Sequence, residues 1–294
     1  MSKKQVSLIS KIYKFGKKKF SKGYGLGKIK PARIIIKRLE SKIKSDFTIV
    51  NGFKMYLDPA DTFNLSINDS YGDFETELMK NQIKEGDIVI DVGANIGYFT
   101  LLFSKLVGET GKVFAFEPES RNFELLKKNI QINKIKNVVL EQKIVSNKNG
   151  KSKLFISDNI ANHKIFQTDE KNNSFIELPS IILDDYFEKI NFLNRINFVK
   201  VDVEGAEFFV FDGMRKILNQ NKEIKIFTEF MHHIIKNSNS DPKDIVDIFI
   251  NEKFNIDFVN STYHKLESVD INQLSNSRYA KGTVNLFCQR VINS

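Results

Sequence analysis

A run of nine residues, Asp91-Val92-Gly93-Ala94-Asn95-Ile96-Gly97-Tyr98-Phe99, constrains this chain more than any other stretch. It follows an apolar triplet, Ile88-Val89-Ile90, of the kind that forms a buried parallel strand. It leads into residues 99–106, whose apolar spacing is helical. A glycine-rich turn between strand and helix brings backbone N–H groups against a ligand that must approach closely. Gly93 is expected to permit the sharp turn, and Gly97 to let the first helical turn lie close to the strand. The glycines stand at G-x-x-x-G, with Asn95 where a G-x-G-x-x-G site has its middle glycine. The G-K-[ST] ending of a phosphate-binding P-loop is absent too.

The following segment extends the pattern. A turn, Gly108-Glu109-Thr110-Gly111, precedes a second strand-like run, Lys112–Phe116, that ends at Glu117-Pro118. Asp91 and Glu117 therefore stand one strand–helix–strand unit apart. An acidic residue at the tip of the second strand can accept two hydrogen bonds from the hydroxyls of a ribose. Pro118 stops the strand without needing a ladder N–H.

Five blocks in fixed order now carry a resemblance: V-I-D-V-G-A-N-I-G-Y-F-T (89–100), F-E-P-E (116–119), S-N-K-N-G (146–150), L-D-D-Y (183–186) and K-V-D-V-E-G-A-E (200–207). Together they resemble the FkbM family of methyltransferases. The resemblance implies a class I, Rossmann-like fold and S-adenosylmethionine as cofactor. It places Asp91, Gly93, Ala94, Asn95, Gly97 and Tyr98 under the methionine part of that cofactor, and Glu117 with Pro118 at its ribose. Ser146 and Asn147 would flank the adenine. The family's chemistry implies O-methyl transfer to a hydroxyl-bearing acceptor such as a sugar, a polyketide, a glycan or a glycolipid.

Composition sets the limits of that reading. With 294 residues and 41% hydrophobic content, the chain can bury one catalytic domain, read as residues 46–294, behind an extension at 1–45. The single Cys288 excludes an internal disulfide and is compatible with a reducing, cytoplasmic setting. No C-x-x-C pair and no H-E-x-x-H segment offers a zinc site, and no metal is assigned. Apolar runs fall short of the ~18 residues of a membrane span, and the lysine-rich N-terminus lacks the apolar centre of a secretory signal. Charge is segregated: residues 1–45 hold 15 Lys or Arg against one acid, Glu40, whereas the remainder is net negative. Ile9, Ile12, Tyr13 and Phe20 recur at helical intervals, Gly23, Gly25, Gly27 and Pro31 break the pattern, and a second helix is expected at 32–44. A basic amphipathic segment suits an anionic membrane surface, so peripheral attachment is expected through residues 1–45. Nucleic acid is the less favoured partner, and a solvated tail is the bland alternative.

The rest of the chain alternates. Residues 46–57 read as a hairpin about Asn51-Gly52, followed by a polar loop and a helix at 74–83. Strands are expected at 87–92, 112–117, 137–145, 196–202, 223–229, 254–260 and 283–290. Helices are expected at 98–107, 120–132, 183–190, 206–220 and 242–253. Such alternation means a doubly wound, mostly parallel α/β sheet, here of seven strands. A polar insert at 151–180 interrupts it, with short strands expected at 153–156 and 175–180.

The fourth of those strands delivers Asp202-Val203-Glu204-Gly205 to the carboxyl edge of the sheet, where open α/β sheets bind ligands. Asp202 and Glu204 are the candidates for positioning an acceptor hydroxyl and taking its proton, as in general base catalysis. Asp202 equally suits the N-cap of the next helix, and Glu207 its first turn. Glu229 closes the next strand, and Met231-His232-His233 follow. His232 is the third candidate base, histidine being the natural proton acceptor near pH 7. His163, in the insert, reads as a surface residue. Two rival readings remain: an NAD-dependent sugar-modifying reductase, which Asn95 at the middle-glycine position disfavours, and a membrane- or nucleic-acid-binding protein with a decayed cofactor pocket. The retained Asp91, Gly93, Gly97, Glu117 and Asp202 argue against decay.

Overall fold

The computed structural model describes residues 47–59, 61, 65, 71–155, 174–238, 240–269 and 284–290. The basic extension, Ile156 and His163 lie outside the described residues. Two units are resolved by internal contacts, one up to Tyr71 and one from Gly72 onward.

In the first unit, β1 (Phe47–Val50) pairs antiparallel with β2 (Phe53–Tyr56). Asn51 and Gly52 take φ of 52° and 90°, the left-handed pair that a tight hairpin turn requires. Lys54 Nζ lies 4.3 Å from the centroid of the Phe47 ring across the pair.

The second unit runs α1 (Asp73–Gln82), β3 (Ile88–Val92), α2 (Tyr98–Leu106), β4 (Lys112–Phe116), α3 (Ser120–Ile132) and β5 (Val138–Glu141). Then come β6 (Ile144–Val145), β7 (Gly150–Phe155), β8 (Phe175–Ile181), α4 (Leu183–Lys189), β9 (Phe198–Val201), α5 (Glu207–Asp212) and α6 (Arg215–Gln220). It continues with β10 (Lys225–Phe230), α7 (His232–Asn237), α8 (Pro242–Asn251), β11 (Phe254–Asn260), β12 (Lys265–Ser268) and β13 (Val284–Arg290). The main sheet has the order β12-β11-β13-β10-β9-β3-β4-β5. Its strands from β10 to β5 are parallel, and β13 runs antiparallel between β10 and β11. Alternate residues feed two cores: Ile88, Ile90, Val92, Val199 and Val201 pack with Phe187, Phe211, Ile217 and Phe249 on one face. Val89, Val113, Phe198 and Phe227 pack with Leu78, Met79, Leu102 and Phe103 on the other. Helices thus cover both faces of a doubly wound α/β sheet. The chain reverses winding direction between β3 and β9, which are hydrogen-bonded neighbours.

Three expectations need correction. Among the described residues the main sheet has eight strands, not seven, because β12 adds an antiparallel edge; it is partly exposed along its length and so carries little apolar signal. The run expected as one strand at 137–145 breaks at Gln142-Lys143. Its second half leaves the main sheet to pair with β8, Ile144 opposite Ser180 and Val145 opposite Ile181, in a three-stranded sheet β6-β8-β7. The helix expected at 206–220 is two helices. A Cβ on Gly213 would stand 2.3 Å from the Ser146 carbonyl oxygen, so the chain there is pressed against another backbone. Asp184 then caps the new start, accepting hydrogen bonds from the N–H groups of Lys216 (2.8 Å) and Ile217 (2.9 Å).

Candidate active site

The glycine turn sits where β3 and β9 separate. Gly93 and Ala94 both donate their N–H groups to the Phe116 carbonyl at the end of β4, each at 3.0 Å. Gly93 has φ of 77°, and a Cβ there would fall 1.8 Å from the carbonyl oxygen of Asp202. Its glycine is therefore required by backbone-to-backbone contact with the turn after β9. Gly97, at φ 93°, starts α2; a Cβ there would stand 2.6 Å from Leu126 Cδ1 in α3. The close approach that Gly97 allows is to the next helix rather than to its own strand. Asn95 occupies the left-handed region at φ 51°, where asparagine is tolerated best among residues with a side chain. Its Oδ1 accepts from the Ile96 N–H at 2.8 Å. Tyr98 is buried, its hydroxyl bonded to Thr76 Oγ1 of α1 at 3.1 Å.

Glu117 meets this turn from β4. Its Oε2 accepts from the Asn95 N–H at 2.8 Å and its Oε1 from the Glu119 N–H at 2.9 Å. Each carboxylate oxygen retains capacity for another donor. Only 5% of Glu117 is exposed, and burial pushes its carboxyl up to about 7, against the pull of those two N–H groups. After Pro118, Glu119 turns away to cap α3, accepting from the Asn122 N–H at 2.7 Å.

Across the reversal, Asp91 and Lys200 are register partners on β3 and β9. Asp91 is wholly buried and accepts from Thr100 Oγ1 at 2.6 Å. Burial raises its carboxyl above the ordinary range, with Lys200 opposing. Lys200, 2% exposed, places Nζ 3.6 Å from Asp91 Oδ1, 3.3 Å from Asp202 Oδ2 and 3.3 Å from the Gly93 carbonyl oxygen. The Phe99 ring centroid lies 5.4 Å from the same ammonium.

Beyond Asp202 the chain passes through two left-handed residues, Glu204 at φ 54° and Gly205 at φ 97°. Glu207, the first residue of α5, reaches back to hold that turn. Its Oε1 accepts from Val203 N–H (3.3 Å) and Gly205 N–H (3.1 Å), and burial pushes its carboxyl up to about 7. One oxygen each of Asp202, Glu204 and Glu229 lie within 4.8 Å of one another. Burial, then the charges of Asp202, Glu204 and Glu207, push Glu229 up to about 10, and its Oε2 is buried without a hydrogen-bond partner. Three carboxyls so close cannot all ionise cheaply. They can share protons, accept a hydroxyl proton, or chelate a cation.

Most of the residues expected at the site converge on this sheet edge: Asp91, Gly93, Ala94, Asn95, Gly97, Glu117, Asp202 and Glu204. His232 is buried at the first position of α7, just past β10. Ser146 and Asn147 follow β6, and the Ser146 N–H donates to the Ile181 carbonyl at 2.9 Å. Ser146 is buried against Gly213, and Asn147 donates to Asp212 Oδ2 at 3.0 Å. Asn149 donates to Asp185 Oδ2 at 2.6 Å and accepts from the Ile182 N–H, so the blocks at 146–150 and 183–186 brace each other. Sequence reasoning passed over Lys200. A lysine inside the apolar strand Phe198-Val199-Lys200-Val201 was the available signal, because a buried ammonium must find anionic partners.

The sequence profile described as the methyltransferase FkbM domain matches residues 91–256, from the glycine turn through β11. Methyltransferase 1 of Beauveria bassiana (strain ARSEF 2860) is 26% identical in an alignment of 149 residues that covers 44% of this chain and 59% of that protein. This chain therefore spans about three-fifths of that relative. A protein of Sulfurisphaera tokodaii described as a probable cobalt-precorrin-6B C(15)-methyltransferase (decarboxylating) is 28% identical over 146 residues, 47% of this chain and 74% of its own length. Among solved structures, a SAM-dependent methyltransferase from Aquifex aeolicus aligns over 74% of this chain and 90% of its own, with 14% identity and a TM-score of 0.38.

Proposed function

Because the chain belongs to the FkbM methyltransferase family, we propose that it transfers a methyl group from S-adenosylmethionine to a hydroxyl of a glycan, glycolipid or related metabolite. The cofactor is the family's, and the residues at the sheet edge fit it. Glu117 offers a buried carboxyl with acceptor capacity on both oxygens, suited to the two hydroxyls of a ribose. The turn Asp91–Gly97, with Ala94, Asn95 and Tyr98, would hold the methionine part, Pro118 would follow the ribose contact, and Ser146 and Asn147 would stand toward the adenine. When bound, the cofactor supplies an electrophilic methyl group on a sulfonium, with a neutral thioether as leaving group.

What remains for the protein is to align the acceptor oxygen, exclude water and receive a proton. One observation carries this reading: Asp202 is bonded through its N–H to Val92 O at 3.1 Å and packed on Gly93, so the acidic turn abuts the glycine turn. A proton leaving an acceptor hydroxyl would pass to Asp202 or Glu204, with His232 as the third candidate. We further propose that the basic segment 1–45 brings the enzyme to anionic lipid, where a lipid-linked acceptor would be met.

Calorimetry with S-adenosylhomocysteine and with NAD tests the cofactor assignment; binding of NAD and not S-adenosylhomocysteine overturns it. Labelled methyl from S-adenosylmethionine, offered with panels of sugars and glycolipids, tests the acceptor class. Mass spectrometry of the product should find a methyl ether. Label on carbon, the position that the Sulfurisphaera relative's name describes, would overturn O-transfer while leaving methyl transfer intact.

A further inference from the structure

Gly93 and Asp202 follow different strands, β3 and β9, yet their backbones touch and one ammonium joins them. The Lys200 ammonium reaches both turns: Asp202 Oδ2 and the Gly93 carbonyl oxygen each stand 3.3 Å from Nζ, and Asp91 Oδ1 lies at ion-pair distance, 3.6 Å. We infer that Lys200 is a positioning residue that ties the glycine turn after β3 to the acidic turn after β9, fixing the separation between the methyl-donor site and the carboxylates that receive the acceptor's proton. The inference rests on the proposed use of these two turns.

Stability alone is a weak reason for such a cluster. Buried ion pairs are often replaceable by apolar residues without loss, whereas removing one partner leaves an uncompensated charge. The arrangement differs from a plain ion pair in holding a carbonyl of the glycine turn. Gly93 O and Asp202 Oδ2 lie at the mouths of two separate loops, and neither can shift without losing its bond to Nζ. Asp91, fixed by Thr100 in α2, anchors the lysine from below. The Phe99 ring centroid lies 5.4 Å from the ammonium, within cation–π range.

The test reads coupling between the turns and needs no acceptor. Hydrogen exchange on the full chain, with and without S-adenosylhomocysteine, should find the amides of 93–97 and of 202–206 protected together. In Lys200→Met, S-adenosylhomocysteine should bind on the order of 10-fold more weakly, as for loss of one charge-assisted bond. It should still protect 93–97 at saturation, but not 202–206. Lys200→Arg should recover part of the joint protection. Should Lys200→Met fail to fold, Asp202→Ala removes the other end of the tie at a side chain that is 40% exposed. It should uncouple the turns in the same way. Joint protection that survives both substitutions, or wild-type protein in which only 93–97 responds, overturns the inference. Wild-type protein that does not bind S-adenosylhomocysteine overturns instead the cofactor assignment on which it rests.

Discussion

Glu117 has two tasks for one carboxyl: it pins the Asn95 and Glu119 amides, and under the proposed function it would also meet the ribose. Its raised value, about 7, gives affinity a pH dependence. A carboxylate accepts hydroxyl bonds better than a carboxylic acid does, so S-adenosylhomocysteine should bind more tightly as pH rises through 7. Titration calorimetry at pH 6 and 8 should find that gain in the wild type and its disappearance in Glu117→Gln. Glu117→Ala should cost about 1.5–3 kcal/mol of affinity, the range for hydrogen bonds to a charged group. Asp202→Asn and Glu204→Gln belong to the other half of the site. Each should lower methyl-transfer turnover by on the order of 10²-fold with little change in S-adenosylhomocysteine affinity. Turnover within about twofold of wild type in both would remove them as the base. Asp91, Gly93 and Glu117 were legible in the sequence because strand, glycine turn and acid fall within one local unit. Glu207 was legible as a first-turn residue, but its hold on the preceding loop and the role of Lys200 were not, because they depend on a side chain that turns back over its own loop and on register across the sheet.

Between elements, capping and close approach decide where helices stop. The apolar pattern of 206–220 continues on both sides of Asp212-Gly213, but Gly213 lies against Ser146 and Asp184 supplies a cap from a distant segment. Asp212-Gly213 is the local turn signal at that break, outweighed in the reading by the apolar periodicity on either side, whereas the cap from Asp184 has no local trace. The family block L-D-D-Y gains a physical meaning from it. Asp184 caps α6, Asp185 holds Asn149, and the Tyr186 hydroxyl donates to Glu141 Oε1 at 2.8 Å. Asp184→Ala leaves two N–H groups without their acceptor and should destabilise the fold by about 1–3 kcal/mol, measured by urea unfolding. Asp184→Asn, which keeps an oxygen, should cost less. Equal midpoints for Asp184→Ala and wild type would show that water replaces the cap at no cost.

For the molecule as a whole, buried carboxyls set the response to pH. Glu117 and Glu207 rise to about 7 and Glu229 to about 10, all from 4.5. In each case the folded chain holds its proton more tightly than the unfolded chain does. Stability from this source is full below about pH 4.5 and is lost as pH rises toward the folded values. Ligand-free protein should therefore unfold at lower urea at pH 8 than at pH 5, and Glu207→Gln should flatten the difference. A midpoint that rises with pH would contradict the burial of these groups. The segregated charge of residues 1–45 predicts sedimentation with anionic vesicles, reversed as the Debye length falls from ~10 Å at 0.1 M salt to ~3 Å at 1 M. Deletion of 1–45 should abolish it, and equal binding to neutral vesicles would refute the lipid proposal. The place of β13 has a consequence in time. It lies between β10 and β11, yet follows both in sequence. While the chain is being made, the edge of β10 waits unpaired through about sixty further residues, roughly 3–12 s at ordinary translation speed. Until Val284–Arg290 emerges, the nascent sheet carries the exposed edge that invites pairing with other chains. Newly made protein therefore depends on its latest strand for protection from aggregation, and slow codons between 230 and 284 should lower the yield of soluble enzyme.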